Sequence, residues 1–128
     1  MTGKISILYD TIRLEEKLLI ESAKKNDIAI DMVDCKKLFL DLNEKNCLEG
    51  PVLQRCVSYY RNLHSTAALE GQGAKVVNCL NTGIFAGNKL FTHMLLQKAG
   101  VPTPDATVAF SKDSALDPLK KHGFVKIS

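Results

Sequence analysis

Two groups of residues have the types and spacing that chemistry would need. The first is Lys89, in "AGNKLFTHMLLQKAGVPTP", residues 86–104, a short amphipathic helical pattern opened by Gly87 and Asn88 and stopped by Gly100 and two prolines. Helix dipoles favour anions in the first turn and disfavour cations. A cation there is tolerated if a polyanion offsets it, with helix N–H groups and the ammonium converging on it. The alternative, which the residues alone favour, is an exposed side chain with its tip in water. The second group is Arg55, Ser58 and Arg61 in "PVLQRCVSYYRNLH", which end or follow an apolar strand-like run, as Asp10 does in "KISILYD". Ligands of open parallel sheets bind outside the carboxyl ends of the strands, so these side chains are candidates to face such a crevice. The alternative is that Asp10 caps a helix and the arginines are surface groups.

Other titratable residues point less clearly to chemistry. His64, His93 and His122 are widely spaced within helical patterns, without i, i+4 ligand spacing, and are expected to be surface or partly buried residues. Cys35, Cys47, Cys56 and Cys79 form no CxxC pair and no zinc-module spacing. Four reduced thiols are expected, with Cys56 and Cys79 acting as small hydrophobes inside apolar runs. No metal site and no catalytic side chain is designated among these residues.

The elements that must position these groups alternate. "KISILY" reads as a strand and "TIRLEEKLLIESAKKN" as a helix, with Ile12, Leu19 and Ala23 near one face and Thr11 or Asp10 as its cap. "IAIDMVDC" alternates as a half-buried strand, and "KKLFLDLNEKNCLEG" is either two short edge strands or a loop. "PVLQRCVS" is a third strand, with its proline at the tolerated first position. The pattern "YYRNLHSTAALEGQG" is a helix with Tyr60, Leu63 and Ala67 on one face, ended by Gly71 and Gly73. "KVVNC" is a fourth short strand, and Asn81 or Thr82 can cap a brief helix ending at Gly87. Strands and helices at these spacings imply crossover units, a parallel sheet and an α/β, Rossmann-like, doubly wound domain over roughly residues 1–80. Linker helices follow over 81–103. Beyond Pro104, "DATVAF" reads as a strand, "SKDSALDPLKKHG" as a helix capped by Ser111, and "FVKIS" as the start of another strand.

Composition excludes several classes. With 128 residues, 45% of them hydrophobic, the chain fits one domain or one domain and the start of another, and is not disordered. Its net charge of +3 is mild. Lysines and acids interleave, as in "LEEKLLIESAKK", which reads as a solvated face rather than a nucleic-acid stripe. No apolar run approaches the roughly 20 residues of a membrane span, and no signal-peptide pattern opens the chain. A cytoplasmic protein without nucleic-acid or membrane partners is expected. "YDTIRLEE" contains no glycine, so a dinucleotide loop of the Rossmann type is not expected after the first strand.

"GNKLFTHMLLQKAGVPTPDA" resembles the junction of ATP-grasp ligases, where a glycine–acid–lysine opens a helix that ends at Gly-Val/Ile-Pro-x-Pro. "ILYDTIRLEEKLL" and "QRCVSYYRNLHSTAALEGQGAKVVN" are similar to the first strand and helix, and to the third strand, helix and "VVN" strand, of the LysX-type ligases that join α-aminoadipate to a carrier protein in lysine biosynthesis. The resemblance implies a pre-ATP-grasp domain followed by the start of the ATP-grasp lobe over 104–128. It implies an amide-forming ligase that uses ATP and Mg2+ and works through an acyl phosphate. Its partners would be a small acidic amino-carrier protein and an amino acid, α-aminoadipate or glutamate, with a homo-oligomer left open. Lys89 would then be the counterpart of a lysine that reaches the nucleotide phosphates, and Arg55, Ser58 and Arg61 would touch substrate or carrier. Two departures stand out. Asn88 replaces the acid before the lysine, although Asn can still cap the helix. "HGFVKIS" lacks the family's proline, and Lys126 lies too close to Gly123 to be the second ATP lysine. The magnesium ligands are expected beyond residue 128, and the 128 residues alone are expected to be inactive. Two other readings remain at this point: a truncated, non-catalytic pre-ATP-grasp domain used for binding or dimerisation, and a small-molecule-binding module unrelated to ligases.

Overall fold

The computed structural model describes residues 3–45 and 48–122. Four parallel strands form its sheet: β1 (Ile5–Tyr9), β2 (Ile30–Asp34), β3 (Val52–Gln54) and β4 (Val76–Val77), in the order β2-β1-β3-β4. Parallel neighbours need crossovers. Helix α1 (Leu14–Lys25) carries the chain from β1 to β2, and α2 (Tyr59–Gly71) carries it from β3 to β4. The expected α/β architecture with a parallel sheet is the one observed.

The β2-to-β3 connection differs from the other two. Among its described residues there is no strand, so the undecided "KKLFLDLNEKNCLEG" is a loop. Its Leu38, Leu40 and Leu48 pack against the buried cluster of Leu8, Val52, Cys56, Leu69 and Val76. Loop leucines therefore cover part of the sheet where a crossover helix would otherwise lie. The loop closes at Gly50, φ +68°, where a Cβ would meet the Lys4 carbonyl oxygen at 1.9 Å. No other residue fits that approach to β1.

Several local expectations are corrected. Helix α1 starts at Leu14 with Arg13 as N-cap, so neither Thr11 nor Asp10 caps it. Ile12 lies outside the helix and is exposed, and the buried positions of α1 are Glu16 and Ala23. On α2, Tyr60 and Ala67 are exposed, and the buried face is Ser65, Thr66 and Leu69. Polar residues occupy that face because Gln54 satisfies them. Its Nε2 donates to Ser65 Oγ at 3.0 Å and Thr66 Oγ1 at 2.9 Å, and its Oε1 accepts from Cys56 N at 2.9 Å. A buried hydroxyl with a partner costs little, so a search for apolar periodicity misplaces the face.

After β4 come α3 (Leu80–Gly87) and α4 (Lys89–Lys98), then α5 (Lys112–His122). The N-cap of α3 is Cys79, and Asn81 and Thr82 lie inside the helix rather than capping it. Glu70 Oε1 on α2 accepts the first-turn N–H of Leu80 at 3.1 Å and does the capping from a neighbouring element. Cys79 is exposed, not part of an apolar core.

The chain divides into two compact units, Met1–Thr92 and His93–Ser128. In the second unit, α4 ends where Val101 N donates to Leu96 O at 3.0 Å. Ser111 Oγ accepts Ser114 N at 3.1 Å, so Ser111 caps α5 as expected. "DATVAF" is not a strand. An extended segment needs a ladder partner, and none pairs with it among the described residues. "FVKIS", with Lys126, lies outside the described residues, as does Cys47.

Candidate functional site

The carboxyl end of β1 delivers Asp10 to the start of α2. Asp10 is 2% exposed, and its Oδ1 accepts Val57 N at 2.8 Å while Oδ2 accepts Ser58 N at 3.1 Å. The same Oδ2 lies 3.4 Å from Arg61 Nη1. Burial alone would push this carboxyl up, but the two backbone N–H groups and the Arg61 guanidinium outweigh it and hold Asp10 below its ordinary value. Asp10 thus holds the two backbone N–H groups that lead into the helix after β3, and caps no helix of its own. Ser58 is the N-cap residue of α2, with its Oγ accepting Arg61 N at 3.4 Å.

Glu16 is the residue that sequence reasoning missed. It stands in "LEEKLLIESAKK", read above as a solvated face, yet it is fully buried. Its Oε2 accepts Arg13 N at 2.9 Å, the reach-back of a capping box. The Arg13 guanidinium bonds both of its oxygens, at 3.1 and 3.2 Å, and Arg55 meets Oε1 through Nε and Nη2, each at 2.8 Å. Hydrogen bonds from the Arg13 side chain are the leading cause that holds the Glu16 carboxyl down at about 2, against the opposing effect of burial. The signal available in the sequence was the i, i+3 spacing of Arg13 and Glu16 at a helix start. Two buried carboxylates therefore fix three guanidiniums at one end of the sheet. The side chain of Arg55 is 29% exposed and that of Arg61 52% exposed, so both keep donors free for an anionic partner.

Tyr59, the first residue of α2, leads from this cluster to Lys89. Its hydroxyl donates to Ile84 O on α3 at 3.3 Å, and a Cβ on Gly87 would meet its ring at 2.5 and 2.7 Å. Gly87 is what allows this ring to lie at the opening of α4. Asn88 Oδ1 then accepts Leu90 N at 3.0 Å and Phe91 N at 3.2 Å, so Asn88 caps α4 as expected. These bonds also revise the expected phosphate cradle. The first-turn N–H groups of Leu90 and Phe91 are already occupied by Asn88. The Lys89 ammonium is exposed and makes no ion pair among the described residues. No hydrogen bond or ion pair joins it to Arg55, Ser58 or Arg61 there.

His64 is an exposed side chain whose Nδ1 lies 2.8 Å from Tyr60 O. Among the described residues, no three His, Cys, Asp or Glu side chains converge as metal ligands, and no helix is long and apolar enough to cross a membrane.

The family described as the LysX preATP-grasp domain matches residues 5–84, the stretch that holds the sheet, α2 and both buried carboxylates. The chain belongs to that family. LysX preATP-grasp relatives extend the match past the domain itself. The chain is 30% identical over 121 residues to a glutamate–LysW ligase, ArgX, from Sulfolobus acidocaldarius, covering 94% of this chain and 43% of that protein. It is 34% identical over 121 residues to an α-aminoadipate–LysW ligase, LysX, from Sulfurisphaera tokodaii, covering 91% of this chain and 42% of that one. It thus spans less than half the length of these relatives. The fold is also that of a solved RimK domain protein ATP-grasp from Sphaerobacter thermophilus, with a TM-score of 0.77 at 22% identity over 95% of this chain and 48% of that chain.

Proposed function

We propose that this chain forms the N-terminal portion of an ATP-dependent carboxylate–amine ligase. The reaction joins α-aminoadipate or glutamate to the terminal glutamate of a LysW-type carrier protein through an acyl phosphate, in lysine or arginine biosynthesis. The observation that carries this reading is the match along more than nine-tenths of the chain to ligases named for both amino acids. The exposed Lys89 at the capped start of α4 supports it.

In this reading residues 1–80 are the pre-ATP-grasp domain, 81–103 the linker helices and 104–128 the beginning of the ATP-grasp lobe. Phosphoryl transfer to a carboxylate asks a protein for positioning and for charge to offset the transferring oxygens. Lys89 supplies one such charge toward the nucleotide phosphates. Arg55, Ser58 and Arg61 hold the amino acid or the carrier's acidic tail. Asp10 and Glu16 keep two of these groups, Arg61 and Arg55, oriented without consuming all their donors. The described residues offer no oxygen-rich set for Mg2+, and the ion is assigned to ligands outside them.

The test is ADP release by the complete ligase, measured with carrier protein and each amino acid in turn. The expected result is release that requires the carrier and one of the two amino acids, with an amide product on the carrier's terminal residue. ADP release indifferent to the carrier, or no release with either amino acid, would sink the reading.

A further inference from the structure

One buried carboxylate clamps two guanidiniums. Arg13 meets Glu16 with the edge formed by Nε and Nη2: Nε donates to Oε2 at 3.2 Å and Nη2 to Oε1 at 3.1 Å. Arg55 uses the same edge, with Nε and Nη2 each 2.8 Å from Oε1. The two Nη2 atoms share one oxygen, so they lie within about 6 Å of each other. A guanidinium carries five donors in a planar fork. These bonds leave over the second edge of each fork, Nη1 with the remaining hydrogen of Nη2, and neither Nη1 has a partner among the described residues. The Arg13 side chain is 39% exposed and that of Arg55 29% exposed, so both are open to solvent in part.

Charge selects the ligand. Two guanidiniums and one carboxylate sum to a single positive charge, and Glu16, held at about 2, stays ionised throughout the neutral range. Glu15 lies 3.9 Å from Arg13 Nε, on the edge already engaged, and is mostly in water, so its effect is screened. Arg61 is answered by its own carboxylate, Asp10. One monoanion therefore completes the clamp, and a phosphate dianion exceeds it. We propose that Arg13 and Arg55, held side by side by Glu16, form a binding site for a single carboxylate group, one oxygen to each guanidinium. Charge-assisted bonds of about 2.7–2.9 Å let a carboxylate bridge two nitrogens at this separation. Arg13 thereby joins Arg55 as a binding residue. The source of the carboxylate rests on the ligase reading: it is the amino acid or the carrier's acidic tail.

The experiment uses the complete ligase, with KM measured separately for amino acid, carrier and ATP. Arg13→Lys and Arg55→Lys keep a cation for Glu16 but replace the planar fork by a point charge. In each, the KM for either the amino acid or the carrier is expected to rise roughly ten- to a hundredfold. Turnover number and the KM for ATP should stay near wild type, because the lost contact is one of ground-state binding. The substrate whose KM rises is the source. Phenylglyoxal, which modifies guanidiniums, supplies a measurement on wild type itself. Without ATP, that same substrate is expected to slow modification of Arg13 and Arg55, read by peptide mass, and this result decides the matter if neither variant folds by circular dichroism. Folded variants with unchanged KM values, a rise confined to ATP, or protection of neither arginine overturns the proposal while wild-type turnover upholds the ligase reading. Wild type that releases no ADP with carrier and either amino acid takes down both.

Discussion

The cations of the sheet's carboxyl end and the cation at the start of α4 are held in opposite ways. Arg13, Arg55 and Arg61 are paired with Glu16 and Asp10, carboxylates that the fold has buried. Lys89 has no ion partner among the described residues, and its helix is capped by a neutral Asn88. The first arrangement is self-sufficient: internal charges explain why each arginine is where it is. The second is not, because a helix start gives a lysine no internal reason to be there. The difference separates groups whose main work is architectural, with some donors to spare, from a cation that no internal charge holds among the described residues.

Breaking the self-sufficient side should have the largest effect. Glu16→Ala removes one partner of a buried pair and leaves Arg13 and Arg55 facing each other without their shared anion. The expected loss is about 3–5 kcal/mol in urea unfolding. Glu16→Gln should lose less, because an amide oxygen can still accept from Arg13 N. A loss below about 1 kcal/mol for Glu16→Ala would mean that the cluster is solvated and the contrast with Lys89 is empty.

The same carboxylate sets an acid limit. The Glu16 carboxyl is held at about 2 against an ordinary 4.5. A carboxyl depressed by folding contributes stability that is fully present above its unfolded value. That stability is lost as pH falls through the folded one. Stability should therefore decline between pH 4.5 and about 2, by about 3 kcal/mol from this group. Asp10, also held below its ordinary value, acts in the same direction. Denaturant midpoints measured across this range should fall steeply in wild type and less so in Glu16→Gln, and identical slopes would assign the acid limb to other carboxylates.

How much of this was legible in the sequence follows the same division. The strands of the parallel sheet and the α2 helix were legible because apolar runs and turn residues report burial directly. Asn88 and Ser111 were legible as caps because side-chain oxygens at helix starts follow local rules. What escaped was non-local polar satisfaction. Glu16 is buried because Arg55, far along the chain, meets it. Asp10 holds the N–H groups of Val57 and Ser58 ahead of α2 rather than capping α1, and Ser65 and Thr66 face the core because Gln54 bonds them. A hydrophobicity pattern cannot register a polar residue whose partner comes from another strand. "DATVAF" erred the other way, for its β-type composition has no pairing partner among the described residues.

Gly87→Ala probes the link between the two regions. The added Cβ would lie 2.5–2.7 Å from the Tyr59 ring, so ring or helix must shift. Overpacking of this kind costs about 1–3 kcal/mol. Tyr59→Ala in the same background should recover part of that loss, because the obstacle is the ring itself. Independent, additive losses would show that the two helix starts do not meet through this contact.

The smallest effect on stability, and the sharpest on function, is expected from Lys89→Ala. An exposed lysine without an ion partner should change stability by no more than about 0.5 kcal/mol. Removing a cation from a helix start should, if anything, raise stability slightly. A charge-assisted contact to a phosphate is worth roughly 1.5–3 kcal/mol, about ten- to a hundredfold in ATP use. On the proposed ligase reading, Lys89→Ala in the complete protein should therefore keep the wild-type unfolding midpoint and lose ATP efficiency by that factor. Lys89→Arg should recover part of the loss, because a guanidinium also bonds phosphate. Asn88→Asp gives the matching control: it keeps the cap and restores the acid that the resembling ligases carry before the lysine, so α4 should stay folded. Unchanged ATP kinetics in Lys89→Ala would place Lys89 among ordinary surface lysines. The contrast with the buried arginine cluster would then mark only where the protein meets water.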